Sequence, residues 1–448
     1  MAQDSDTLQQ LNNLVGEALK AGADAADAVD IKSIALSHAQ RLGEVEKVER
    51  AESRDLGLRV FIGHKQAVAS STDPGDDALA ELIERAIAMA KAVPDDEHCG
   101  LADPEQILTN AIPDLDIADT EEPSTETLAA RTRDCEAAAR GVIGVTNSEG
   151  AEASWSSSDV AIAASNGFSG GYRSTGQGFW VAVLAGEGTG MERDYEATSA
   201  TYAADLDTPE YVGQTAGERA VARLRPRKVE TQQVPVVYAP RVSNGLLRHL
   251  AGAVNGNAVA RGTSFLKDSM GERILPKGVH VIDDPHRQRG HRSKPFDAEG
   301  LPNGAMHLVE DGVLKNWVLD LSTARKLGFP SNGRASRGTS SPPSPGTTNL
   351  YMPAGRVSPT DLIADITEGF YVTELMGFGI NNVTGDYSRG ASGFWIENGT
   401  ISHPVSEVTI AGNLKDMFRN MTQANDLRFK YGTDAPTIRI ESMTVAGN

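Results

Sequence analysis

The stretch LLRHLAGAV, residues 246–254, places His249 beside Arg248 inside an apolar run at helical spacing. A helix that holds a catalytic zinc needs two imidazoles and a carboxylate on one face. Two ring nitrogens then reach the metal, and the carboxylate reaches the metal-bound water. Here Leu250, Ala251 and Ala253 follow His249 instead. The segment therefore reads as a metal site, a helix that has lost one, or an ordinary amphipathic helix.

Other stretches carry reactive residue types with less support. Ser264–Lys267 (SFLK) spells the SxxK pattern of serine acyl-enzymes, but the companion SDN and KTG motifs are absent, and so short a match is expected by chance. HRQRGHRSK, residues 286–294, brings His286 and His291 together with four basic residues. No nearby acid or cysteine completes a ligand set, so it is expected to be an exposed basic loop that could touch the acidic half of the chain or a partner. GFSGGYRSTGQG, residues 167–178, lacks the GK[ST] of a phosphate loop and is expected to form hairpin turns. SRGTSSPPSPGTTN, residues 336–349, is a Ser/Pro/Gly loop that either crosses the surface or lines a site. GDYSRGASGFWIENG, residues 385–399, reads as a Gly-kinked strand closed by an ENG turn, with Phe394 and Trp395 before Glu397. Cys135 falls on one helix face with Leu128, Thr132 and Ala139, which makes it core filler rather than a nucleophile.

The elements that would position these residues follow from periodicity. Helices are predicted over 5–21, over DDALAELIERAIAMAKAV with Asp76 or Asp77 as its cap, over TETLAARTRDCEAAAR capped by Ser124, and over TPEYVGQTAGERAVARL. Strands are predicted within 28–72, with Gly63 at a turn, and several antiparallel ones within 143–204. Residues 94–123 are acidic and Pro-rich and read as a long connection. A charge shift at RPRKVETQQ marks a boundary near 225. Beyond it VPVVYAP reads as a buried strand. The helix of the opening stretch follows, then strands at 278–282 and 305–318 and a helix at 319–327. Further strands, a helix at 414–424 and a last strand at 436–445 complete the reading.

Composition bounds the functional class. The 448 residues suffice for two or three domains, and 40% hydrophobic with 23% charged residues is ordinary for a soluble protein. No apolar run approaches the ~20 residues that span a membrane. The start, MAQDSDTLQQ, has neither the basic nor the apolar region of a signal peptide. Cys99 and Cys135 lack CxxC spacing, so a reducing cytoplasm is expected. Residues 226–448 carry 24 basic and 21 acidic side chains, so the net charge of −19 lies wholly in residues 1–225. That distribution argues against nucleic-acid binding, which needs a basic footprint.

Several segments together resemble the TldD/PmbA family, and most closely its PmbA (TldE) branch. They are LRHLAGAVNGNAV, STARKLGF and the long block TELMGFGINNVTGDYSRGASGFWIENGTISHPVSEVTIAGNLKDMFRNM. The likeness is dense over about 235–425 and weaker but colinear over 25–225. It implies an α+β chain: an N-terminal α/β domain, residues 1–225, and a larger β-rich domain, 226–448. It also implies one subunit of an intracellular two-subunit protease that trims unfolded peptides, and the family's other label is modulator of DNA gyrase. In that family the TldD subunit carries an HExxxH zinc motif and a cysteine ligand near its C-terminus. At the corresponding positions this chain has Arg248, His249 and Ala253, and its last cysteine is Cys135. The resemblance thus implies no cofactor in this chain, zinc in a TldD-type partner, a heterodimer with that partner or a homodimer when alone, and extended peptides as substrates. It implies that Arg248, His249, Asn255, Asn257, Arg389 and His403 line a peptide cavity or a subunit interface. Two rival expectations remain: a hydrolase using His286, His291 or Ser264, and a peptide-binding adaptor without proteolysis.

Overall fold

The computed structural model describes residues 5–447. The first half is built on one six-stranded sheet. After α1 (Ser5–Lys20) come β1 (Ala25–Arg41), β2 (Glu44–Ile62), β3 (Lys65–Ser71) and α2 (Asp76–Ala92). Then follow α3 (Thr125–Arg140), β4 (Val145–Ala164), β5 (Ser169–Ala185), β6 (Glu192–Ala200) and α4 (Pro209–Ala222). The spatial order is β3-β2-β1-β4-β5-β6, with antiparallel neighbours throughout.

Strand alternation sorts the two faces of this sheet. Ala26, Ala28, Leu56, Leu58 and Val60 point to α1 and α2, while Ala151, Ala153, Phe179, Val181 and Val183 point to α3 and α4. All four long helices thus cover one face. The opposite face carries Val29, Ile162 and Ala164, which pack on Phe296 from the second half.

The second half opens with β7 (Gln232–Tyr238), α5 (Pro240–Ala253) and α6 (Gly256–Ala260). Short elements follow: β8 (Val281–Asp284), β9 (Met306–Glu310), β10 (Val313–Leu314), α7 (Leu321–Leu327), β11 (Ala335–Ser336), β12 (Ser344–Pro345), β13 (Asn349–Tyr351) and α8 (Pro359–Ile363). It ends with β14 (Glu368–Ile380), β15 (Asp386–Glu397), β16 (Thr400–Asn413), α9 (Leu414–Arg419), β17 (Met421–Gln423), β18 (Thr433–Asp434) and β19 (Ile438–Ala446). The order β16-β15-β14-β7-β19 returns on itself, because β19 pairs with β7 on one edge and with β16 on the other. The result is a closed five-stranded barrel. Tyr238, Phe370, Val372, Trp395, Ile410 and Ile440 belong to its core, which extends under α5.

Charged side chains join the halves. Arg337, from the Ser/Pro/Gly loop, reaches the first sheet and pairs with Asp27 at 2.5 Å, and Arg59 holds the same carboxylate from β2. All three are buried. Thr339 of this loop lies so close to Gly57 that a Cβ there would sit 2.1 Å from its carbonyl oxygen. Arg289, from the basic loop, pairs with Asp116 of the acidic connection at 2.6 Å. That loop therefore does touch the acidic half of the chain.

Four local expectations need correction. The cap of α2 is Gly75, braced by Asp73, and not Asp76 or Asp77. The glycine run 167–178 lies mostly inside β5 rather than in turns, because a Cβ at Gly171 or Gly178 would meet a neighbouring strand's carbonyl oxygen at 2.7 or 2.5 Å. The helix expected over 414–424 stops at Arg419, since Met421–Gln423 pairs with β19 instead. Strand β8 begins at Val281 rather than 278, because Gly278, with φ of +82°, turns the chain there.

Candidate functional site

Helix α5 starts with Pro240, which lacks the N–H that the first helical position would leave unsatisfied. Leu246, Leu247, Leu250 and Ala253 recur at three- and four-residue intervals and bury one face. Val254 ends the helix, and Asn255 caps α6 by accepting from the Asn257 amide at 3.0 Å. Asn255 also donates from Nδ2 to the Pro345 carbonyl at 2.9 Å, which ties this corner to the Ser/Pro/Gly loop.

The α5 side chains of interest divide by direction. Arg248 is exposed, His249 is half-buried and Ala253 is in the core. The His249 ring stands edge-on to Tyr387 of β15, with centroids 6.0 Å apart. Burial pushes the imidazole down to about 4, and the Arg389 and Arg248 guanidiniums push the same way. At neutral pH the ring is therefore uncharged between two cations. Arg389 is itself fixed by donating from Nε to the Met376 carbonyl of β14 at 3.2 Å.

The fold thus gathers Arg248, His249 and Arg389 at one place and sets the other candidates apart. Asn255 and Asn257 shape the helix corner. His403 sits on β16 beside Glu397 and Ser402, toward the turn that joins β15 and β16. Arg389 pairs with Ile410 and Phe394 with Pro404, so about five strand residues, roughly 16 Å, separate His403 from the α5 cluster.

Zinc does not fit the α5 positions. Arg248 presents a permanent cation, and Ala253 offers no donor atom. His249 could supply at most one nitrogen, flanked by positive charge. Among the described residues no group of three or more His, Cys, Asp or Glu could hold a metal ion.

The other reactive types are occupied. The Ser264 hydroxyl is buried, donates to the Ala253 carbonyl at 2.5 Å and accepts from the Leu266 amide at 3.0 Å. Lys267 pairs with Asp268 instead of approaching it. His286 meets Asn303 at 2.6 Å. The Cys135 thiol is fully buried, and burial drives it up to about 12.

Sequence reasoning missed a second place, at the start of the same helix. A cavity of about 420 Å³ lies where β6 and α4 of the first half face α5, β14 and the 426–435 segment of the second. Arg241 pairs through Nη1 with Asp194 of β6 at 2.7 Å, and the Tyr195 ring lies 4.5 Å from its guanidinium carbon. Lys430 and Arg219 share Glu196. The Pro-Arg opening of α5 was the available signal, but its meaning depends on acids more than 40 residues upstream.

Comparison with known proteins covers nearly the whole chain. Three domain models of the PmbA/TldA metallopeptidases match it: domain 1 over residues 32–90, the central domain over 118–224 and the C-terminal domain over 231–447. The "Metalloprotease PmbA" of Escherichia coli O157:H7 is 38% identical over 444 residues, covering 98% of this chain and 96% of its own. Among solved structures, a candidate modulator of DNA gyrase from Bacteroides thetaiotaomicron superposes over the full length of both chains with a TM-score of 0.91 at 26% identity. TldE from Thermococcus kodakarensis superposes with a TM-score of 0.88 at 21% identity, covering 98% of this chain and all of its own, and so shares the fold.

Proposed function

Because the chain belongs to the PmbA/TldA metallopeptidase family, on its PmbA (TldE) branch, we propose that it is the non-catalytic subunit of a heteromeric zinc peptidase. It works in the cytoplasm beside a TldD-type subunit that carries the metal, and together they trim unfolded peptides. In this reading residues 1–225 form the N-terminal domain, and residues 226–448 form the domain that carries the degenerate helix.

The donor set of α5 is the observation that carries the reading. Zinc hydrolysis needs about three protein ligands and a base beside the bound water. Arg248, His249 and Ala253 supply at most one nitrogen between them. The remaining work of such a subunit is to close the cavity, stabilise its partner and admit only extended chains. Strand β14 suits the last task. It pairs with β7 only over Phe370–Val372, and its exposed stretch, Met376–Gly379, pairs with β15 alone. Its other edge can accept an added strand, which is how extended peptides are commonly held. The rival hydrolase reading loses support, since the Ser264 hydroxyl is buried and its bonds are spent, and His286 and His291 have no ligand set around them.

Elemental analysis of the chain, purified alone without a metal-affinity tag, tests the proposal. Zinc well below one per chain, with peptidase activity arising only on mixing with an HExxxH-bearing partner, is the expected result. One zinc per chain, or hydrolysis by the chain alone, overturns it.

A further inference from the structure

The cavity at the start of α5 has an uneven hydrogen-bond balance. Its acids are satisfied. Asp434 accepts the Lys430 and Tyr431 amides at 2.9 and 2.8 Å, Asp426 accepts both the amide and the hydroxyl of Thr437, and Glu196 holds Arg219 and Lys430. One donor group, Arg241, is not. Arg241 is nine-tenths buried, yet its Nε and Nη2 hydrogens have no acceptor. A buried charged donor without a partner is unfavourable, because it has given up its water and gained no acceptor in return. The Tyr195 ring attracts the cation as a whole but supplies no oxygen to these two donors.

The geometry of the vacancy is specific. Nη1 faces Asp194, which leaves the Nε–Nη2 edge of the guanidinium unpaired but covered by neighbouring atoms, so a ligand reaches it only by displacing them. That edge presents two parallel N–H groups, the arrangement that grips a carboxylate through both oxygens. Arg241 is also the second residue of a 14-residue helix whose cap, Ala239, has no side-chain acceptor. The positive end of that helix therefore faces the same cavity, which Ala239, Pro240 and Arg241 all line. The acids nearby set an upper limit on ligand charge: they would repel a phosphate dianion far more than a single carboxylate.

We propose that this cavity is a carboxylate-binding site, with the Arg241 side edge and the start of α5 as its receptor, and that it anchors a carboxylate-bearing peptide. The inference takes from the reading above only that the ligand is a peptide, and needs no catalytic partner. The carboxylate comes either from the peptide's C-terminus or from an Asp or Glu side chain.

Calorimetric titration of the isolated full chain separates these sources. The probes are N-acetyl-trialanine as free acid, the same peptide as amide, and N-acetyl-Ala-Glu-Ala-amide. Binding of the free acid but not of trialanine amide is expected, weakened at least tenfold in Arg241→Gln and severalfold in Arg428→Gln, the cation on the cavity wall. Arg241→Lys should behave like Arg241→Gln, since a lysine keeps the charge but not the paired edge. Binding of the glutamyl amide assigns the side-chain source and keeps the site. Equal binding of trialanine acid and amide, unchanged binding in Arg241→Gln, or no heat from any carboxylate at millimolar concentration overturns it. Should Arg241→Gln fail to fold, the Arg241 Nε–H resonance of the unmodified chain must shift on titration with acetate. Carboxylate binding by a chain that gains no peptidase activity with any HExxxH-bearing partner would keep this site and remove the subunit reading, whereas a working heteromer with no carboxylate binding would do the reverse.

Discussion

Two guanidiniums flank the His249 ring, and the ring is partly shielded from water. The uncharged form is therefore favoured in the folded state, with the imidazole held down to about 4 against an ordinary 6.5. The sign for stability follows from linkage. Above pH 6.5 the ring is neutral in folded and unfolded chains alike. Between 6.5 and 4 only the unfolded chain takes up the proton, so this residue's contribution to stability is lost as pH falls through that window. NMR titration should find His249 far below the other solvent-reachable imidazoles, and Arg389→Gln should raise it part of the way, because burial persists. Urea midpoints of His249→Gln should fall less between pH 6.5 and 4 than those of the unmodified chain. A His249 titrating near 6.5 would refute the packing described. Much of this scale was legible in the letters alone. That Arg248 and Ala253 offer a metal no donor atom is a matter of residue identity and needs no coordinates. The free edge of Arg241 was not legible, because it depends on Asp194 having taken the other end of the same side chain.

Helices and long strands followed their periodicities, and the failures are instructive about cause. The glycines of β5 looked like turn residues because glycine most often marks turns, yet Gly171 and Gly178 are required by the closeness of neighbouring backbone. Helix α4 uses the same device against α3. A Cβ at Gly213 would lie 2.2 Å from the Cys135 carbonyl oxygen and 2.7 Å from the Ala138 methyl. Alanine is about 1 kcal/mol better than glycine within a helix, but here the clash dominates, and overpacking of this kind costs about 1–3 kcal/mol. Gly213→Ala should therefore destabilise the chain in urea melts, while Gly252→Ala, which meets nothing within 4 Å in α5, should stabilise it or leave it unchanged. The reverse order would show that α3 and α4 are not packed this closely. Segments such as Met421–Gln423 were misread because a three-residue strand has no period of its own and owes its form to β19.

At the scale of the molecule, the charge asymmetry of the sequence finds internal use. Acids of the first half meet bases of the second: Asp27 with Arg337, Asp116 with Arg289, Asp194 with Arg241, Glu196 with Lys430. The Ser/Pro/Gly loop, read as crossing the surface or lining a site, instead inserts Arg337 between the halves. Removing one member of a buried ion cluster leaves the others uncompensated, at a cost of about 3 kcal/mol. Arg337→Ala should lower stability by about that amount in urea melts and speed proteolysis at the junction. Arg289→Ala, which removes an exposed and solvent-screened pair, should leave the urea midpoint nearly unchanged. Equal effects would mean that the seam is wetter than it looks. Of these partnerships the sequence suggested only that the 286–294 loop could touch the acidic half; the others were not visible, because each joins residues that are distant along the chain.

The barrel closes only through β19, the last described strand, which bridges β7 and β16. During synthesis the first sheet can assemble as it leaves the ribosome, since most of its strands pair with sequence neighbours. The second half must wait, with β7 holding an open edge for some 200 residues until its partner emerges. A message cut short near its end would thus yield a well-folded first half joined to an unclosed barrel, a species exposed to chaperones and proteases rather than a slightly shortened working protein.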